Sequence, residues 1–210
     1  MLTVENLEKE LKEGKLNSIY LLYGEELFLL ETCLKKIKNN FGERKHGINE
    51  VKIDETNVNS IISDIETPAF GYVKKLIIAR NTGLFKKEGK KKTGTNSELV
   101  KKLAEYIKEN VEIIKESVVL VFVEEEAEKN DLYKVIENVG TVCEFSELKA
   151  PQITARMKAI AKAYGVQIDD MTARYFMECC GTNMQNLINE IRKLIEFVGP
   201  KGEITKKDID

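Results

Sequence analysis

The chain has 210 residues, 42% hydrophobic and 32% charged, with a formal net charge of −2 and a pI near 5.8. That is enough apolar material for one large domain or two modest ones, and the balance is that of a globular chain expected to be soluble. The acidic charge argues against an autonomous nucleic-acid binder, the charged start MLTVENLEKELKEGK argues against a signal peptide, and no apolar run approaches the ~20 residues of a membrane span.

Thr3 precedes Val4, Leu7 and Leu11 at helical spacing, with Gly14 as a stop. Residues 18–23 read as a buried strand. Leu27, Leu30, Cys33 (or Leu34) and Ile37 mark one face of a helix that runs to Asn40. VKID at 51–54 predicts a second strand. Asn57 caps a helix carrying Val58, Ile61, Ile62 and Ile65, which Pro68 ends or turns. KLIIAR at 75–80 is a third strand. The stretch from Lys86 to Glu98, rich in lysine, glycine and threonine, reads as a loop, and Asn96 or Ser97 caps a helix on Leu99, Leu103, Tyr106 and Ile107. VVLVFVEE at 118–125 is a fourth strand, Asp131 opens a short helix, and TVCEF at 141–145 is a fifth strand.

Apolar strands separated by helices imply an α/β domain over residues 1–148, built on a five-stranded, mainly parallel sheet covered on both faces. After Pro151 the strand signals stop. Residues 149–210 predict a small three-helix domain, with Asp169 or Asp170 and Thr182 or Asn183 as caps. GEITKKDID opens a further helix at Thr205 and stops, as in a chain cut at a domain boundary.

Catalytic chemistry is hard to assemble. Cys33, Cys143, Cys179 and Cys180 form no CxxC, and His46 is the single histidine, so reduced thiols are expected and no zinc site. The adjacent pair Cys179–Cys180 is not expected to close a disulfide. YLLYGEELFLLE at 20–31 has the strand–glycine–helix order of a phosphate cradle. However, a P-loop needs a second glycine, a lysine and a hydroxyl, and this turn offers Glu25 and Glu26 instead. Asn81 follows the third strand where a magnesium-binding acid belongs, and the acids ending VFVEEE at 121–126 read as a solvated turn. No catalytic site, cofactor or metal is predicted.

The segments SIYLLYGEELFLLE (18–31), IETPAFGYVKKLIIARN (65–81), VVLVFVEE (118–125), CEFSELK (143–149) and NMQNLINEIRKLIEF (183–197) together resemble the delta subunit of the bacterial DNA polymerase III clamp loader. The resemblance runs in order through the chain and covers the first two of three family domains, the helical collar domain being absent. It implies a degenerate AAA+ module with a helical lid, which does not bind ATP and has no activity of its own. Such a subunit opens the sliding clamp for loading onto primed DNA, within the DNA polymerase III holoenzyme in the cytoplasm. Implied partners are the sliding clamp (beta subunit), the other loader subunits through the absent C-terminal collar domain, and primer-template DNA in the full complex, with no membrane. The family grips the clamp with a short helix just before the third strand, which places the grip at Thr67, Pro68, Ala69 and Phe70. Residue statistics alone favour a buried Phe70, and the resemblance reverses that. Ala69 and Thr67 are smaller or less apolar than relatives often carry, so Phe70 is the main anchor. Lys86, Lys87, Lys90, Lys91 and Lys92 could touch DNA phosphates by charge, although a solvated loop is the plainer expectation. Arg192 stands where active AAA+ relatives sense phosphate and reads here as a salt-bridging or surface residue. The competing readings are a degenerate P-loop ATPase and an autonomous DNA-binding protein.

Overall fold

The strands β1 (Ile19–Tyr23), β2 (Glu50–Ile53), β3 (Lys75–Arg80), β4 (Val118–Glu124) and β5 (Thr141–Glu144) form one sheet in the order β2-β3-β4-β1-β5, with every pair parallel. These coordinates come from a computed structural model, which describes residues 1–86 and 95–210. Every residue of β1 and β4 is buried, which is why both read as unbroken apolar runs and not as alternating ones.

Helices α1 (Val4–Lys12), α2 (Leu27–Phe41), α3 (Ile61–Glu66), α4 (Thr95–Glu109), α5 (Val111–Ser117) and α6 (Asp131–Val139) connect and cover the strands. One face of the sheet, including Leu21, Ile77, Leu120 and Phe122, packs with Leu103 and Ile107 of α4 and Leu132, Tyr133 and Ile136 of α6. Phe85 meets Phe122 edge to face at 5.3 Å. Alternate residues Tyr20, Leu22, Ile78 and Val121 are buried toward the other face. The open edge of β5 is closed by the chain start, where the Leu2 amide donates to the Val142 carbonyl at 2.8 Å. The sequence gives no sign of α5, because it has seven residues and only Ile114 among them is buried.

The chain divides into two compact units, Met1–Ser146 and Glu147–Asp210. In the second unit, α7 (Ala150–Ala163), α8 (Asp170–Cys180) and α9 (Met184–Val198) are the three expected helices. Asp169 caps α8 by accepting from the Thr172 amide at 2.7 Å, and Asn183 caps α9 by accepting from the Asn186 amide at 3.0 Å. Leu187, Ile188, Ile191 and Ile195 form the buried stripe of α9, while Arg192 is exposed.

The expectation that strands stop after Pro151 is corrected. β6 (Gln167–Ile168) pairs in parallel with β7 (Glu203–Ile204), burying Ile168 and Ile204. Two residues per strand are too few for an alternation to show in sequence. Thr205 does open a one-turn helix, α10 (Lys206–Ile209), its amide and hydroxyl both donating to the Asp208 carboxylate at 2.7 Å. All four cysteines are free thiols, with Cys33 and Cys143 buried. Among the described residues, no helix is long and apolar enough to cross a membrane.

Candidate functional site

A ligand in an open parallel sheet is expected outside the carboxyl ends of the strands, where the strand order reverses. Here that place is beside β1, and it holds a cleft of about 690 Å³. Glu25, Asp54, Glu55, Glu124, Glu125 and Glu126 line it, with Lys86 the one cation among the described lining residues. Two amides of the turn are committed elsewhere. Gly24 donates to the Glu124 carbonyl at 3.2 Å, and Glu26 donates to the Phe145 carbonyl at 2.9 Å. Gly24 has φ +131°, and a Cβ there would stand 2.4 Å from the Phe145 carbonyl oxygen. The glycine therefore makes room for the chain leaving β5, where a P-loop glycine makes room for phosphate.

Glu124 departs from the solvated turn that its acidic neighbours suggest. Its carboxylate is buried, and Oε1 accepts from the Thr82 amide at 2.9 Å and from Thr82 Oγ1 at 2.6 Å. Burial pushes its pKa up, against the Thr82 hydrogen bonds and the charge of Lys86. The acid thus ties the exit of β3 to the end of β4, whereas Glu125 and Glu126 are exposed.

The second place is the turn between α3 and β3. Thr67, Pro68, Ala69 and Phe70 lie beyond the end of α3 at Glu66, so they stand in a turn and not on the short helix the resemblance implies. The reason is Pro68, which cannot continue the helical hydrogen bonds. The Thr67 amide and Oγ1 both donate to the Ser63 carbonyl, at 3.0 and 2.7 Å, and close the helix. The Tyr72 amide donates to the Ala69 carbonyl at 3.0 Å across a turn that needs Gly71 at φ +79°. Phe70 is 84% exposed, and Val73, which the sequence did not single out, is 89% exposed.

Lys75 was also missed. It is the first residue of β3 and only 3% exposed. Its ammonium donates to the Asp64 carbonyl at 2.8 Å and to the Thr67 carbonyl. Burial lowers its pKa, and the Asp64 charge opposes that. The available signal was the pairing of Asp64 with Pro68 four residues on, which leaves a helical carbonyl without its amide partner. Of the lysines suspected of touching DNA, Lys86 is exposed, while Lys87, Lys90, Lys91 and Lys92 lie outside the described residues.

Comparison with known proteins places this geometry. Residues 20–146 match the family described as DNA polymerase III, delta subunit. The DNA polymerase III subunit delta of Bacillus subtilis is 26% identical over 204 residues, covering 96% of this chain and 58% of that protein. The probable DNA polymerase III subunit delta of Aquifex aeolicus is 26% identical over 197 residues, covering 91% of this chain and 53% of that one. This chain therefore spans somewhat over half the length of these relatives. Among solved structures, the Bacillus subtilis DNA clamp loader delta protein (YqeN) superposes with a TM-score of 0.75 at 25% identity, over 98% of this chain and 61% of that one.

Proposed function

The chain belongs to the DNA polymerase III delta-subunit family, and from that premise we propose that it binds the sliding clamp and opens it for loading onto primed DNA. In this reading it works in the cytoplasm as a component of the holoenzyme, with no catalytic activity of its own. The other loader subunits are its standing partners, and primer-template DNA joins them in the full complex. The Met1–Ser146 unit acts as the AAA+-like module and the Glu147–Asp210 unit as its helical lid.

The observation that carries the reading is Phe70. A large apolar ring 84% exposed at the tip of a hydrogen-bonded turn has no role in the fold and is suited to fill a pocket on a partner. Val73, exposed beside it, serves as a second contact. Calorimetric titration of the cognate clamp into the wild type and Phe70→Ala tests this. The substitution should weaken binding by at least ~2 kcal/mol, the hot-spot range. Unchanged affinity sinks the assignment.

The same reading holds that the subunit does not bind ATP. The committed amides of Gly24 and Glu26 and the acidic lining of the cleft support it, since polyphosphate would meet carboxylates in place of donors. Titration with a fluorescent ATP analogue should give no saturable binding. Tight binding would favour the degenerate P-loop ATPase instead.

A further inference from the structure

We propose that Lys75 is the positioning residue of the clamp grip, its buried ammonium fixing the turn that presents Phe70 and Val73 by holding the carbonyls of Asp64 and Thr67. Its functional consequence rests on the clamp-binding reading of Phe70, while its mechanical part stands on the geometry alone.

No residue from Glu66 to Lys74 is buried. No fully buried side chain therefore packs this stretch into the core, and an exposed turn without further anchoring would sample many conformations. An interface anchor on such a turn would have to be ordered at the moment of binding, which weakens affinity. Pro68 makes the problem acute, because it has no N–H to offer the Asp64 carbonyl at the end of α3. Lys75 supplies the missing donor. Its backbone is pinned in the sheet, in register with Val118 of β4, and its side chain reaches back across the base of the turn. A cation at a helix C-terminus also suits the helix dipole. The Asp64 carboxylate, itself bonded by Ser60 Oγ at 2.7 Å, keeps an opposite charge near the ammonium. Phe70 and Val73 thus project from a short arc that Lys75 ties at its base to the end of α3, while Lys74 Nζ, donating to the Lys115 carbonyl at 2.8 Å, ties its far end to α5.

The test compares the wild type with Lys75→Met and Lys75→Arg, using amide hydrogen exchange and clamp titration. Lys75→Met should speed exchange of the Thr67 and Tyr72 amides about tenfold or more, on the scale of one lost charge-assisted hydrogen bond. The amides of Leu76 to Ala79 should stay protected. Clamp affinity should fall about tenfold, Lys75→Arg should recover part of it, and Phe70→Ala should cost less in the Lys75→Met background than in the wild type. Unchanged exchange at Thr67 and Tyr72, or equal acceleration throughout β3, overturns the proposal, as does full additivity of the two substitutions. If Phe70→Ala alone leaves clamp affinity intact, the clamp reading fails, and the exchange result still decides the role of Lys75. Should Lys75→Met not fold, the Lys75 ammonium of the unmodified protein is followed by ¹⁵N NMR. A slowly exchanging Nζ signal supports the proposal, and exchange as fast as that of exposed lysines overturns it.

Discussion

Replacing Gly24 by alanine probes what the first turn is for. In a nucleotide cradle the added methyl would crowd a phosphate and leave the empty protein sound. Here it would meet the backbone of Phe145, at 2.4 Å from the carbonyl oxygen, 2.7 Å from the carbonyl carbon and 2.9 Å from the nitrogen. Those atoms cannot swing away, because Phe145 is held by its amide to the Tyr23 carbonyl at 2.7 Å and by its carbonyl to the Glu26 amide at 2.9 Å. Holding a side-chain residue at φ +131° costs about 1–3 kcal/mol, and forcing the overlap costs about 1–3 more. Together these amount to ~2–6 kcal/mol against a typical total of ~5–15 kcal/mol. With a urea m value of ~2 kcal/mol/M, the midpoint should fall by about 1–3 M at unchanged m. Urea denaturation of the wild type and Gly24→Ala measures this. A midpoint shift below ~0.3 M would refute the claim that Gly24 exists for β5.

Three further outcomes are expected. The pKa of Glu124 is raised in the fold, so its contribution to stability is fully present below the unfolded pKa and is lost as pH rises through the folded one. The stability of the wild type relative to Glu124→Gln should therefore increase on acidification from pH 7 through about 4.5, and a pH-independent difference in denaturation midpoints would contradict this. Asn130 accepts from the Tyr133 amide at 3.0 Å to cap α6 and donates to the Leu84 carbonyl at 2.8 Å. Asn130→Ala should cost about 1–3 kcal/mol, a cap plus a part-buried hydrogen bond, as read by thermal or urea unfolding. Finally, a mobility-shift assay with primed DNA should show no strong, steeply salt-dependent binding by this chain alone, whose net charge is −2.

The module was legible where the physics is local or repeats along the chain. The unbroken apolar runs of β1 and β4 announced strands buried on both faces, and Thr3, Asp169 and Asn183 announced helix starts through side-chain oxygens close in sequence to the amides they bond, as did Thr205, whose own amide is bonded by the Asp208 carboxylate. β6, β7 and α5 were not legible, because none is long enough to establish a period. The site was half legible. Pro68 marked the end of α3, but only the resemblance suggested that Phe70 faces outward.

What the sequence determined by itself is the alternation that builds a parallel sheet and the absence of P-loop residues after β1, since both depend on which residues stand next to which. What the tertiary structure decided is how those residues are used. Glu124 became a buried tie to Thr82, 42 positions away, Gly24 became clearance for Phe145, and Lys75 became the base of an exposed turn. Each of these is a polar or steric contact between segments far apart in the chain or brought together by a turn. Such contacts are fixed only when burial removes water as the alternative partner and leaves one donor to meet one acceptor.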